Sequence, residues 1–380
     1  MTGWGLFLIA WSILAFVWWL IALILLARGP QAKPTLAKTA VSSGSISVFK
    51  PIPPVESAVE RSALAEAIDS FLGQLLPEDE IIVGVDAREA AAWESHFARW
   101  RNRWPAARIN LIVRDAPAQH PNPKVAWLEI LAASACGEIW LWSDADVTVP
   151  PGFLSLVRTK LSAPDAEAVT AAYTVREVSN APGVLDALYV NLEFLPGALL
   201  LGRLGRHEFA YGAACAFRAD TFRARGNWRE LGAALADDHE LGRAMRPVTL
   251  LPALVSTFTR PPNWLKAVQH YYRWQKTVRW CRPAGYVAMV VLLPGLGWAL
   301  GFMCSGGQRF FAVGLLSLWV GEVLVAVLAC ALARCRLPLR TWPGLVLWPV
   351  ARALTWLAVW LPLPVQWRGH KQTWAAPWER

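Results

Sequence analysis

A chain of 380 residues has room for one catalytic domain of ordinary size together with several membrane segments. Hydrophobic residues make up 55% and charged residues only 17%, a balance that excludes a purely water-soluble enzyme. The net charge of +9 is not gathered into one basic stripe: Arg28, Lys33 and Lys38, then Arg334, Arg336 and Arg340, flank apolar runs, which suits anionic lipid headgroups and argues against nucleic acid.

Trp4 to Leu26 is continuously apolar and carries no charge before Arg28. A spanning helix needs about 20 such residues. A cleaved signal peptide would have a basic residue ahead of the run, and none is present. Residues 1–28 therefore read as an uncleaved anchor, and the basic cluster that follows places the next domain in the cytoplasm. Residues 29–45, rich in Pro, Ser, Thr and Ala without a period, read as a linker. The 23 tryptophans lie mostly near the two ends of the chain, as expected of side chains that settle at a bilayer–water boundary.

From 46 to 260 short apolar runs alternate with helical stretches. The strands expected are Ile46–Phe49, Ile81–Val85, Ile109–Val113, Ile139–Ser143, Val169–Thr174 and Val248–Leu251. Apolar residues three and four apart predict helices over Ala58–Leu76, Ala90–Trp100 and Val125–Ala135. Strand–helix alternation implies an α/β domain with a mainly parallel sheet, whose ligands bind beyond the carboxyl ends of the strands. Val184 to Leu204 is apolar enough to be either a core helix or an interfacial patch lining the path of an acceptor.

Acids follow the expected strands at three places. Asp86 comes directly after Ile81–Val85, and Asp144 and Asp146 follow Ile139–Ser143 with one small residue between them. Paired carboxylates at a strand end can engage a hard ion such as Mg2+ or Mn2+, which binds one or two carboxylates plus phosphate oxygens. The plainer reading is a turn bearing two solvated aspartates. Asp237 and Asp238 precede a short helical run, Leu241 to Met245. There they either cap that helix and complement its dipole, or one of them is a general base.

His270-Tyr271-Tyr272-Arg273-Trp274, followed by Lys276, Arg279 and Arg282, is an aromatic and basic stretch, and residues 261–283 read as an interfacial helix. Its Arg and Trp are also suited to closing over a diphosphate. Ala284–Cys304 and Phe310–Ala333 are expected to form a membrane hairpin over 284–333, turning at Ser305-Gly306-Gly307, with basic residues at both outer ends. Glu322, inside the second of these spans, needs a partner helix or the active-site side to face. Trp342–Val365 contains Arg352 and four prolines, so 334–380 reads as a broken helix lying in the interface and a basic tail with Arg368, His370 and Lys371. The six cysteines (Cys136, Cys215, Cys281, Cys304, Cys330, Cys335) have no metal spacing and read as reduced structural thiols.

In this order and with these membrane flanks, the four elements resemble the ceramide glucosyltransferase family, whose pattern is D, DxD, D and (Q/R)xxRW. The resemblance runs from Ser47-Val-Phe-Lys-Pro51 to Trp367-Arg-Gly369 and includes Asn122-Pro-Lys-Val125, Tyr211-Gly-Ala-Ala-Cys-Ala-Phe217 and Arg282-Pro-Ala-Gly-Tyr286. Within that superfamily the chain is similar to the bacterial hopanoid-associated branch. What the resemblance implies is a GT-A (nucleotide-diphospho-sugar transferase) catalytic domain between N- and C-terminal transmembrane helices. The implied reaction is inverting, non-processive transfer of glucose or N-acetylglucosamine from a UDP-sugar to a membrane lipid hydroxyl, in glycolipid biosynthesis at the cell (inner) membrane. A ceramide, a hopanoid or a glycerolipid would be the acceptor; the alternative within the enzymes is a hopanoid-polyol N-acetylglucosaminyltransferase.

Position by position, Asp86 is implied to contact the uracil end, Asp144 and Asp146 to serve the Mg2+ or Mn2+ ion and the diphosphate, and Lys124, Arg273 and Trp274 to bind donor. Asp238 is the implied catalytic base, with Asp237 as its stand-in. The chain departs from the pattern at His270, where Gln or Arg is usual, and over Ile52-Pro-Pro-Val-Glu56, which lacks the usual acidic and aromatic signature. A degenerate lipid- or partner-binding protein would have lost a carboxylate, and none is lost. A processive polysaccharide synthase needs more spans to form its channel, and a transporter would show internal repeats.

Overall fold

The structure, a computed structural model, describes residues 3–29, 44–55, 57–115, 119–163, 166–205, 207, 209–261, 263–367 and 370–372. Residues 30–43 of the expected linker, Glu56, and Arg368-Gly369 of the tail lie outside the described residues. The chain divides into two compact units, Met1–Gly29 with Thr174–Leu200 and Phe258–Arg380, and Pro30–Tyr173 with Leu201–Thr257. The catalytic span expected over 46–260 is therefore interrupted: residues 174–200 group with the chain's apolar helices.

The second unit is built on a mixed sheet. Its strands are β1 (Ile46–Pro51), β2 (Glu80–Asp86), β3 (Arg108–Arg114), β4 (Ile139–Ser143), β5 (Ala168–Val178), β6 (Ala214–Arg218) and β7 (Val248–Thr259), in the order β3-β2-β1-β4-β6-β5-β7. β1, β2, β3 and β4 pair in parallel, with Pro51 opposite Gly84 and Phe49 opposite Trp142. β6 runs antiparallel to both β4 and β5. The parallel half explains the continuous apolar runs of β1, β2 and β4, which are buried along their whole lengths.

β6 is not among the expected strands. Only five residues long and composed mostly of small side chains, it has too few β-branched or apolar positions to show a period. Trp142 of β4 packs edge-on against Phe217 of β6 at 4.9 Å and stacks on Trp228 at 5.4 Å, and Phe49 and Trp140 complete this aromatic core. Side chains set several helix starts: Ser57 caps Ala58–Leu72, Asp86 caps a short 3₁₀ turn, and Asn122 caps Pro123–Ala132.

Among the described residues three helices are long and apolar enough to cross a membrane: Gly3–Ala27, Gly183–Arg203 and Arg309–Leu332. Gly183–Arg203 differs from the other two, because 72% of its apolar window is buried within the protein against 28% for each of them. It is a packed internal helix, of the two readings its sequence allowed, and it contains a π-helical turn at Tyr189–Phe194.

Ala284–Cys304 is not straight; Pro283–Leu292 and Pro294–Cys304 meet at 58°. Pro294 lacks the N–H that would continue the helix, and its ring clashes with the preceding turn. The turn after Cys304 depends on Gly306 and Gly307, whose φ angles of 65° and 88° suit glycine. Trp342–Ala358 is a 17-residue helix with Pro349 inside it. Its Arg352 is buried, donates to Glu322 at 2.8 Å, and lies over the Trp348 ring at 4.6 Å. Each charge thus supplies the partner that an ionisable group in apolar surroundings requires.

Candidate active site

The parallel half of the sheet brings the carboxyl ends of β2, β1 and β4 to one edge, and the first two acidic elements stand there. After Ser143 the chain leaves β4 and turns tightly, with the Asp144 N–H donating to the Ala213 carbonyl at 3.2 Å and the Val147 N–H to the Asp144 carbonyl at 3.3 Å. Asp144 is the open member of the pair, its side chain 40% exposed. The Asp146 carboxylate accepts a short hydrogen bond from the Thr257 hydroxyl. Burial and the neighbouring Asp144 charge raise its pKa above the ordinary carboxylate value, so its ionised form calls for a compensating cation.

Lys124 links the second and third acidic elements. Asn122 caps the helix and fixes the first turn, from which the Lys124 ammonium reaches Asp144 Oδ1 at 2.8 Å, Asp237 Oδ2 at 3.4 Å and the Gly212 carbonyl at 3.3 Å. Burial lowers the ammonium's pKa, but Asp144 and Asp237, with help from Asp238, more than reverse this, and it is held above its usual value. Asp237 is buried and also accepts from the Asn122 amide at 3.3 Å. Asp238 accepts instead from two main-chain N–H groups, Gly212 at 2.8 Å and His239 at 2.9 Å. Gly212 permits this approach, since a Cβ there would lie 3.2 Å from Asp238 Oδ2 and 3.3 Å from Lys124 Nζ. Burial, and then the Asp237 charge, push the Asp238 pKa up to about 6.

Asp86 closes β2 at the same sheet edge. Its two oxygens receive the Arg88 guanidinium, Nε at 2.9 Å and Nη2 at 3.0 Å, and the Arg88 N–H at 3.0 Å. Arg273 and Trp274 belong to the first unit, on the Trp264–Cys281 helix. Trp274 stacks on Tyr189 at 4.8 Å and lies 4.2 Å from the His270 ring. His270, the departure from the Gln/Arg pattern, faces Asp186 at 3.0 Å, and Thr259 donates to the same carboxylate.

Sequence reasoning missed Lys50, Thr257 and Asn122 as members of this site. A lysine within an otherwise apolar strand was the one signal that could have been read. The others come from loops and strand ends whose proximity only the fold creates. Asp144 and Asp146 fit a hard divalent ion as a pair of oxygen donors that leaves most of the coordination shell to phosphate and water. Among the described residues no group of three or more His, Cys, Asp or Glu is arranged to hold a metal ion.

No curated protein matches the sequence. Solved structures are similar at low identity, and two of them illustrate this. One is a mannosyltransferase from Pyrobaculum calidifontis in complex with GDP-Man and Mn2+, 16% identical, covering 93% of this chain and 99% of that one with a TM-score of 0.47. The other is GalNAc-T7 with UDP, GalNAc and Mn2+, 12% identical, covering 63% of this chain and 51% of that one with a TM-score of 0.41. These likenesses are weak, and the assignment rests on the sequence: the model of glycosyl transferase family 21 matches residues 7–375. With nearly its whole length matched, the chain belongs to glycosyl transferase family 21, the ceramide glucosyltransferase family, and is a sugar-transferring enzyme.

Proposed function

We propose that the enzyme transfers a hexose, glucose or N-acetylglucosamine, from a UDP-sugar to the hydroxyl of a membrane lipid, with inversion at the anomeric carbon. The observation that carries this reading is the Lys124 bridge, which couples Asp144 to Asp237 and sets Asp238 beside them. Asp144 and Asp146 would hold Mg2+ or Mn2+, and the bound ion would offset the charge growing on the departing diphosphate. Lys124 adds a fixed positive charge on the same side. The acceptor oxygen forms its bond to the anomeric carbon as the bond to the diphosphate breaks, and Asp238 takes the hydroxyl proton.

Asp238 suits that task better than Asp237. Its raised pKa makes it a stronger proton acceptor than an ordinary carboxylate while leaving it ionised at neutral pH. Asp237 is tied to Lys124 and Asn122 and serves to position the lysine. Asp86 would contact the uracil end, and Arg273 and Trp274 keep the donor-binding role that the family pattern implies. The helices apolar enough to cross a membrane support a lipid acceptor and a membrane location, with the catalytic domain on the cytoplasmic side.

The test is incubation of the detergent-solubilised full chain with a panel of UDP- and GDP-sugars and a host lipid extract, with products identified by mass. A UDP-hexose-dependent glycolipid is the expected product. Transfer from a GDP-sugar, or to a soluble acceptor only, would overturn the reading.

A further inference from the structure

Lys50 is the only charged residue of β1, a strand buried along its entire length. Lysine is almost never fully buried unless its ammonium is paired. Here all three of its protons are used. Nζ donates to the Ser143 hydroxyl at 3.0 Å, the Asp144 carbonyl at 2.7 Å and the Val147 carbonyl at 3.1 Å, and it lies 4.2 Å from the centre of the Phe71 ring. Burial lowers its pKa to about 7 even with Asp146 and Asp144 favouring the charge.

The pattern of these acceptors is specific. They sit just before, at and just after the Asp144-Ala145-Asp146 turn, so one ammonium gathers the main chain on both sides of the aspartate pair. It takes carbonyl and hydroxyl oxygens and leaves both carboxylates to other partners, Lys124 at Asp144 and Thr257 at Asp146. A lysine serving only to fill space would be replaced at less desolvation cost by methionine. This one ties together the two ends of the tight turn at Ala145-Asp146, between the end of β4 and the Thr148–Ser256 bridge.

We propose that Lys50 is a positioning residue for the donor site: through the Asp144 and Val147 carbonyls and the Ser143 hydroxyl it fixes the turn that aims Asp144 and Asp146 at a divalent ion and the diphosphate. This inference rests on the donor reading above. Lys50 touches neither donor nor ion and acts through the backbone.

The test measures UDP affinity of the full chain in detergent by calorimetry, with EDTA and with saturating Mn2+, for the parent, Lys50→Met, Ser143→Ala and Asp144→Ala. Loss of a group that orients metal ligands typically weakens metal affinity by about 10–100-fold, so the Mn2+-dependent gain in UDP affinity should fall by about tenfold in Lys50→Met. Affinity in EDTA should stay within about threefold, a change no larger than one lost hydrogen bond would cause. Ser143→Ala removes one of the three acceptors and should lower the gain by about threefold. Should Lys50→Met fail to fold, Ser143→Ala decides, and a parental gain there overturns the proposal. A folded Lys50→Met with the parental gain overturns it too, and if Asp144→Ala still abolishes the gain the donor reading survives alone. A parent chain with no Mn2+-dependent gain sinks both.

Discussion

Asp238 is the side chain on which the proposed chemistry turns, and its surroundings give it a measurable signature. The ordinary aspartate pKa of 3.8 is raised to about 6 by burial and the Asp237 charge, so protonation disables the base at a pH where an ordinary carboxylate is still ionised. The rate of sugar transfer should therefore fall as pH drops through about 6, approaching tenfold per unit below it, and should be level above. Asp238→Asn should lower kcat by about 10²–10⁴-fold with little change in UDP affinity, and its remaining rate should no longer follow that acid limb. A near-parental kcat in that variant would move the base elsewhere. Asp144→Ala acts differently: it removes an expected ion ligand and the 2.8 Å partner of Lys124. UDP binding should become insensitive to Mn2+, and a metal titration that overlays the parent would refute this role. Asp86 and Asp144 were legible because each follows an apolar run at a strand end, and Asp238 because it belongs to an acidic pair at a helix start. The Lys124 bridge was not, since nothing in a sequence measures the space between a helix start at 124 and a turn at 144.

Strands with strong apolar runs and helices with side-chain caps were readable as elements, and β4 matches its expected bounds, Ile139–Ser143. The failures have physical causes. β6 is short and built of small residues, and it is ordered by pairing with β4 and β5 more than by its own propensity. Apolar content does not register the 58° bend at Pro294, and it cannot tell a helix buried in protein from one facing lipid, as Gly183–Arg203 demonstrates. Helix packing in the first unit depends on glycines where aromatic rings press against the backbone. A Cβ at Gly314 would lie 2.1 Å from the Trp298 ring, whereas one at Gly295 would make ordinary contact with Leu318 at 3.6 Å. Gly314→Ala should therefore destabilise the protein by about 1–3 kcal/mol through overpacking. Gly295→Ala should be neutral or stabilising by about 0.4–1 kcal/mol through the unfolded chain. Thermal unfolding in detergent separates the two, and equal melting temperatures would contradict the close Trp298 packing.

For the molecule as a whole, the informative feature is that residues 174–200 interrupt one unit in order to complete the other. The sequence suggested a continuous catalytic domain over 46–260. The side chains of the interruption argue otherwise. Asp186 is buried and is met by Thr259 at 3.1 Å and His270 at 3.0 Å. Glu193 accepts from Tyr271 at 3.0 Å and Gln275 at 3.1 Å. Tyr189 stacks on Trp274, and Gly344 approaches Val184. All of these partners lie beyond residue 257. A fragment of residues 30–257 would retain an apolar helix of about six turns by its pitch, together with two carboxylates stripped of their donors. Unpaired buried polar groups cost about 1–3 kcal/mol each, and the exposed apolar face adds a surface that associates. Such a fragment should aggregate, or stay in solution only with detergent, although it keeps the sheet apart from the last two residues of β7. Size-exclusion chromatography with light scattering provides the measurement. A monodisperse, detergent-free monomer of residues 30–257 would mean that the 174–200 segment does not need the later helices, and the two units would then be separable after all.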